Sequence, residues 1–225
     1  MKRGKNYKKA LEAYDKLQSY PIEEALDRLS NFPKAKFDET VEVHVRTDIN
    51  PKKSEQHIRG PVALPHGTGK KVKVVAFTES GQEEVKKAGA EQVGGQELIE
   101  KVKADKGLDA DIAVASPDMM PKLATIAKIL GPRGLMPNPK AQTVGKDVAA
   151  LVEEFKKGKS SFKNDDSGNV HIPIGKRSFS NEQLKENFES FMEALRQAKP
   201  EAVKKSFIKS VYLTATMTPS VQVAV

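Results

Sequence analysis

The sequence has no cysteine and no tryptophan, and only four histidines in 225 residues. Without cysteine there are no disulfides, thiolate metal centres, iron–sulfur clusters or cysteine nucleophiles, which fits a reducing compartment. Long apolar runs are also missing: the longest are a few residues, far short of the ~20 that a membrane-spanning helix needs. The basic start MKRGKNYKK is followed by no apolar segment and soon by Glu12 and Asp15, which argues against a secretory signal and a transit peptide. His44, His57, His66 and His171 form no i,i+4 pair and no HExxH, so they present no metal-ligand pattern. There is no GxSxG and no Ser/His/Asp set in a recognisable context. Carboxylates are plentiful, but nothing selects a catalytic pair. The expectation is a soluble, basic, cytoplasmic protein with no membrane partner, no metal and no cofactor.

The chain is long enough for one large domain or two modest ones. Its 38 Lys+Arg exceed 30 Asp+Glu, a net charge of +8. Residues 1–67 carry 13 cations and 10 carboxylates, 68–157 carry 15 and 13, and 158–225 carry 10 and 7. The ends thus hold most of the excess. A polyanion-binding face and a well-solvated surface both fit that balance.

Periodicity predicts an amphipathic helix over 5–18, with Ala10, Leu11, Tyr14 and Leu17 on one side, and a second helix opened by Pro21 and stopped by Pro33. Residues 40–46 alternate as a half-buried strand. The Gly/Pro-rich stretch 58–69 reads as a connection. Between 72 and 157, short apolar strands (72–77, 111–115) alternate with helices (79–88, 95–104, 117–130, 145–157), the pattern of a sheet covered on both faces. Beyond 158 the alternation ends. Phe162 and 170–174 suggest a strand pair around a turn at 165–168, followed by a helix over 181–198 and a strand over 206–217. Neither end looks sufficient alone. The expected fold class is therefore mixed α/β with two domains: a split α/β domain from 1–67 and 158–225, and an inserted three-layer, Rossmann-like α/β domain over 68–157. Two connections, near Gly67 and Gly69 and near Gly158, then act as a hinge.

The run His66-Gly67-Thr68-Gly69-Lys70-Lys71 looks like the end of a phosphate loop. Leu64 and Lys71 stand where that loop needs Gly and Ser or Thr, and the run precedes a strand instead of following one. The stretch 130–143 is unusual, with two Gly, three Pro, two cations and exposed-looking Leu135 and Met136; a recognition loop and a rigid turn are both open readings. In the composite domain, Lys34, Lys36 and Phe37 precede the first strand. Lys176, Arg177, Ser178 and Phe179 follow a later one, and Ser210, Thr214, Thr216 and Met217 lie on or after the last. Cations, an exposed ring and hydroxyls suit phosphate, base or ribose contact. Phe179 reads as core, Phe37 as surface, and a strand histidine such as His44 or His171 as packed or surface.

LGPRGLMPNPKAQTV at 130–144 resembles the signature of the bacterial large-subunit ribosomal protein L-one family. GPVALPHGTGK at 60–70, Phe37-Asp38-Glu39-Thr40, IGKRSF at 174–179 and TATMTPSV at 214–221 resemble further blocks in the family order, so the likeness covers nearly the whole chain. It implies the two-domain split fold, no enzymatic activity and no cofactor. It implies binding to a helical junction of large-subunit (23S) rRNA and a place in the mobile stalk near the tRNA exit site. It also implies repression of the own-operon mRNA through the same surface, and assistance to departing tRNA. Nothing suggests an obligate partner other than RNA, so the free chain is expected to be a monomer. The RNA surface implied by the resemblance comprises Lys36, Phe37, Thr40, His171, Lys176, Ser178, Ser210, Thr216 and Met217. Lys36 and Lys176 are then phosphate contacts, Phe37 packs on ribose or base, Ser178, Ser210 and Thr216 bond 2′-OH groups, and Met217 gives apolar contact.

Two positions depart from the family pattern. Thr218 stands where Gly is usual, so its Cβ must be accommodated near any RNA that approaches the backbone. Gln142 also replaces a usual Gly, which predicts mild strain if φ is positive there. The competing class is a nucleotide-dependent enzyme built on the inserted unit, which requires a phosphate loop at a strand-to-helix turn.

Overall fold

The computed structural model describes residues 4–105, 107–203 and 206–224; the first three residues of the basic amino-terminal segment lie outside them. In chain order the elements are α1 (Lys5–Glu12), β1 (Ser19–Tyr20), α2 (Ile22–Asn31), β2 (Thr40–Thr47), β3 (Arg59–Ala63), β4 (Val74–Phe77), α3 (Gln82–Lys87), β5 (Gln92–Gly94), α4 (Gln96–Ala104) and β6 (Ile112–Ala115). Then come the short α5 (Met120–Leu123) and α6 (Ala127–Leu130), α7 (Val148–Lys156), β7 (Lys159–Lys163), β8 (Asn169–Lys176), α8 (Asn181–Gln197), β9 (Ile208–Ala215) and β10 (Val221–Val223). The chain divides into two compact units. One takes both ends, Met1–Lys70 and Ser161–Val225; the other is the inserted Lys71–Ser160.

The unit of the chain ends carries a five-stranded sheet in the order β1-β10-β9-β2-β8. Strand β2 is central and antiparallel to both neighbours, with His44 opposite His171 on β8 and Tyr212 on β9. Alternation assigns the two faces. Val41, Val43 and Val45, with Val170, Ile172, Val211 and Leu213, point into the core. They pack there with Leu26 and Leu29 of α2 and with Leu184, Phe188, Phe191 and Leu195 of α8. Helix α8 starts on a full capping box between Ser180 and Gln183.

Four local expectations fail here. The first helix ends at Glu12; Asp15 accepts a bond from the Leu17 amide in an Asx-type turn, and Leu17 is left 91% exposed while the chain feeds β1. Pro21 caps α2 from outside it. Part of the 58–69 connection is strand β3, which pairs with β7. Strand β7 therefore does not form a hairpin with β8. Their meeting is the single bridge Asn164–Val170, while the Asp165 carboxylate takes the Ser167 and Asn169 amides to shape the turn.

The inserted unit holds a parallel three-stranded sheet, β5-β4-β6. Residues of α4, α5 and α6 pack on one face around Phe77, Leu123 and Leu130. Helices α3 and α7 cover the other through Val85, Val152 and Phe155. The result is a three-layer α/β arrangement. The segment 117–130 is a chain of short 3-10 and α turns, not one helix. Pro121 removes an amide donor, and the Thr125 hydroxyl bonds back to the Lys122 carbonyl. Leu135 is buried and Met136 packs against the same core, so the exposure expected for that pair is incorrect.

Candidate nucleic-acid interface

Residues from both chain ends meet at one end of the five-stranded sheet. The anchor is Arg177. Its guanidinium pairs with the Glu39 carboxylate and donates to the carbonyls of Leu29, Ser30, Phe32 and Pro33 at the end of α2. Both partners are buried, the Arg177 side chain at 6% exposure and Glu39 at 1%. The second Glu39 oxygen accepts the Met217 amide at 3.1 Å. One ion pair thus ties down α2, the start of β2 and the turn after β9.

On that anchor sit most of the residues the resemblance implies. The Thr40 amide donates to the Thr216 hydroxyl, and the Thr216 amide returns to the Thr40 carbonyl. Lys176 donates to the Thr40 hydroxyl at 2.9 Å, which leaves two ammonium protons for a ligand. The Ser178 hydroxyl donates to Asp38 at 2.8 Å, so its lone pairs stay available. Phe37 is 55% exposed and Met217 62%, two large apolar side chains left in water. Lys36 is exposed next to Phe37.

His171 and Ser210 lie farther along, on the outward face of the sheet. That face also presents Glu42, His44 and Arg46 of β2, Pro173 of β8, and Tyr212 and Thr214 of β9, all half-buried or exposed. Register sets them in rows: Asn169, Arg46 and Ser210; His171, His44 and Tyr212; Pro173, Glu42 and Thr214. The sequence reading does not single out Arg46 or Tyr212, and takes His44 only as a packed or surface histidine. Alternation alone could have placed them opposite the valines, but their company depends on a register set by strands more than 120 residues away. Burial, and then the nearby His171, lower the His44 pKa against the pull of Glu42.

Thr218 has no positive φ. Its hydroxyl accepts from the Ala215 amide and its carbonyl takes the Thr214 hydroxyl, so it closes the turn that presents Thr216 and Met217. Gln142 does adopt the left-handed region, at φ 52°, and is the one described non-glycine residue to do so. The turn before it is fixed by Asn138, whose side chain accepts the Lys140 amide.

The loop leading to the inserted unit is held by Asn187 of α8. That side chain, fully buried, accepts the His66 amide and donates to the Gly67 and Ile174 carbonyls. Gly67, Gly69 and Gly158 all have positive φ. Gly69 also lies close to its neighbours: a Cβ there would stand 2.8 Å from Lys176 Cγ and 3.1 Å from the Phe179 ring. The 66–71 run opens no helix, so it is not a phosphate loop. Among the described residues, no group of three or more His, Asp or Glu side chains is arranged to hold a metal ion, and no helix is long and apolar enough to cross a membrane.

Comparison with known proteins gives the family. The profile of the ribosomal protein L1p/L10e family matches residues 29–219. Proteins named large ribosomal subunit protein uL1 are similar along nearly their whole length. The one from Thermosipho africanus is 51% identical over 223 residues, covering 99% of this chain and 96% of that protein. Those from Kosmotoga olearia and Persephonella marina are 49% and 47% identical, over 98% and 100% of this chain and 96% and 94% of theirs. A match of that extent, over nearly the whole of this chain, makes it a member of the ribosomal protein L1p/L10e family.

Proposed function

We propose that this chain is a constituent of the large ribosomal subunit in the cytoplasm, and that the unit of the chain ends anchors it to a helical junction of large-subunit rRNA. The observation that carries this reading is the meeting of Phe37, Thr40, Lys176, Ser178, Thr216 and Met217, from opposite chain ends, on one buried ion pair. The chemistry suits RNA. Lys36 and Lys176 offer charge to phosphates, Phe37 and Met217 offer flat or apolar contact, and Ser178, Ser210 and Thr216 offer partners for 2′-OH groups. His171 extends the surface along the sheet. The domain boundaries of the reading are 1–67 with 158–225 against 68–157. The inserted domain swings about Gly67, Gly69 and Gly158 as the moving part of a stalk near the tRNA exit site, where it helps departing tRNA leave. The same RNA surface binds the own-operon mRNA and represses its translation.

The test is a salt titration of full-length protein binding to an rRNA junction fragment and to an unrelated junction of equal length. Wild type should prefer the first by at least a hundredfold at physiological salt. Thr216→Ala and Met217→Ala should each weaken that binding about fivefold to a hundredfold; Met217→Ala should leave the thermal transition unchanged, and Thr216→Ala, which also removes the acceptor of the exposed Thr40 amide, should lower it only slightly. Equal affinity for both RNAs, or variants that bind like wild type, refutes the assignment of this surface.

A further inference from the structure

His44 and His171 face each other across β2 and β8 near the middle of the open sheet face. Their Nδ1 atoms are 2.8 Å apart, and the rings meet edge to face with centroids at 5.0 Å. At that distance one Nδ1 donates and the other accepts, so the contact holds a single proton between two nitrogens. Two imidazolium rings cannot keep it. The outer nitrogen of each ring lies near a carboxylate: His44 Nε2 is 3.8 Å from Glu42, and His171 Nε2 is 3.4 Å from Asp165. The other groups around the pair are Arg46 on β2, Asn169 on β8, and Ser210 and Tyr212 on β9. Arg46 is the one permanent cation among them. Without a ligand, burial and the neighbouring ring both resist a second proton.

We propose that His44 and His171 are a proton-sharing pair within the RNA surface, and that an RNA phosphate seated on them draws in a second proton, linking RNA binding to proton uptake. The inference rests on the RNA reading above and adds His44 to its contact residues. No covalent bond between heavy atoms changes. Solvent supplies one proton to the bare Nε2 of the ring that donates the Nδ1–H···Nδ1 bond; that ring becomes an imidazolium, the bond between the rings is kept, and both rings then present an Nε2–H to phosphate oxygen. The phosphate charge offsets the one positive charge that forms, and Arg46 and Ser210 in the next row hold the adjoining backbone.

The sign follows from the position of the His44 equilibrium. Its value in the free fold lies below the ordinary 6.5, so the free protein loses stability as pH falls through 6.5 and then through the lowered value. The complex keeps the proton to higher pH. Affinity for RNA therefore rises on acidification through this window, by at most about tenfold per pH unit for one linked proton.

Calorimetry measures this directly. Full-length protein is titrated with the rRNA junction fragment at pH 6.5 and 8, each in two buffers of different ionisation heat. Wild type should take up roughly half to one proton at pH 6.5 and almost none at pH 8. His44→Gln and His171→Gln should abolish the uptake, whereas His66→Gln, whose ring pairs with Glu186 away from this face, should retain it. RNA bases that titrate contribute equally to every variant. Uptake that is absent in wild type, or identical in wild type and His44→Gln, overturns the proposal while leaving the RNA reading intact. No specific binding by wild type even at pH 8 overturns both.

Discussion

Replacing Arg177 with Met tests the anchor of the interface most directly. The change keeps much of the side-chain volume and removes the guanidinium. It leaves the Glu39 carboxylate at 1% exposure with only the Met217 amide for company, and strips a donor from four carbonyls at the end of α2. Breaking a buried ion pair by deleting one partner costs about 3–5 kcal/mol. For a domain of this size that lowers the melting temperature by about 15 °C. The chain provides its own reporter. It has no Trp, and its four tyrosines, Tyr7, Tyr14, Tyr20 and Tyr212, all belong to the unit of the chain ends. Near-ultraviolet tyrosine signal therefore follows this unit alone, while backbone circular dichroism follows both. The tyrosine transition should fall steeply and the second transition should stay put. Adding Glu39→Leu to Arg177→Met removes the stranded charge and should recover about 2 kcal/mol of the loss. A tyrosine transition that drops by less than about 3 °C, or a double variant that loses the full sum, would refute the buried-pair argument.

Other perturbations follow from the same surface and its supports. Lys176→Ala should reduce the slope of log affinity against log salt by about one, with binding weakened alike for all RNAs that make that phosphate contact; an unchanged slope removes Lys176 from the interface. Gly69→Ala puts a Cβ into a left-handed position and against the Lys176 stem, so it should cost about 1–2 kcal/mol and also weaken RNA binding; loss of stability with unaltered affinity shows that Lys176 is not displaced. Asn187→Ala leaves the His66 amide and the Gly67 and Ile174 carbonyls without their partner, a loss of about 3 kcal/mol in denaturant unfolding, and hydrogen exchange at the His66 amide should speed up.

The core was readable where period and length agreed. The valines of β2, the apolar stripe of α8 and the short apolar strands β4 and β6 follow their patterns because burial enforces them. Elements held by pairing alone were not readable. Strands β1, β5 and β10 have two or three residues each, too few for any period, and β3 contains Gly60 and Pro61. Helix 5–18 failed because the chain had to reach β10, an outcome decided by a partner about 200 residues away. The exposure of Phe37 was legible from its charged neighbours. The Arg177–Glu39 pair was not, because a basic residue beside polar, charged neighbours gives no sign that its charge is buried. Arg46, His44 and Tyr212 became a set only through register.

The placement of β2 also fixes an order of events during synthesis. Its partners, β8 and β9, are made long after it, and the last of them ends at Ala215. At 5–20 residues per second, the ribosome needs roughly 10–35 s to pass from Thr40 to Ala215. Until β8 is made, that valine-rich strand waits with both edges unpaired, and until β9 is made it waits with one, while the inserted unit, whose three strands pair with one another inside 74–115, already has its whole sequence available. Charged outward positions such as Glu42 and Arg46 are what keep such a waiting edge from pairing with other chains. The proposed RNA surface is completed only when the final strands emerge, so a chain truncated before β9 lacks Ser210, Thr216 and Met217.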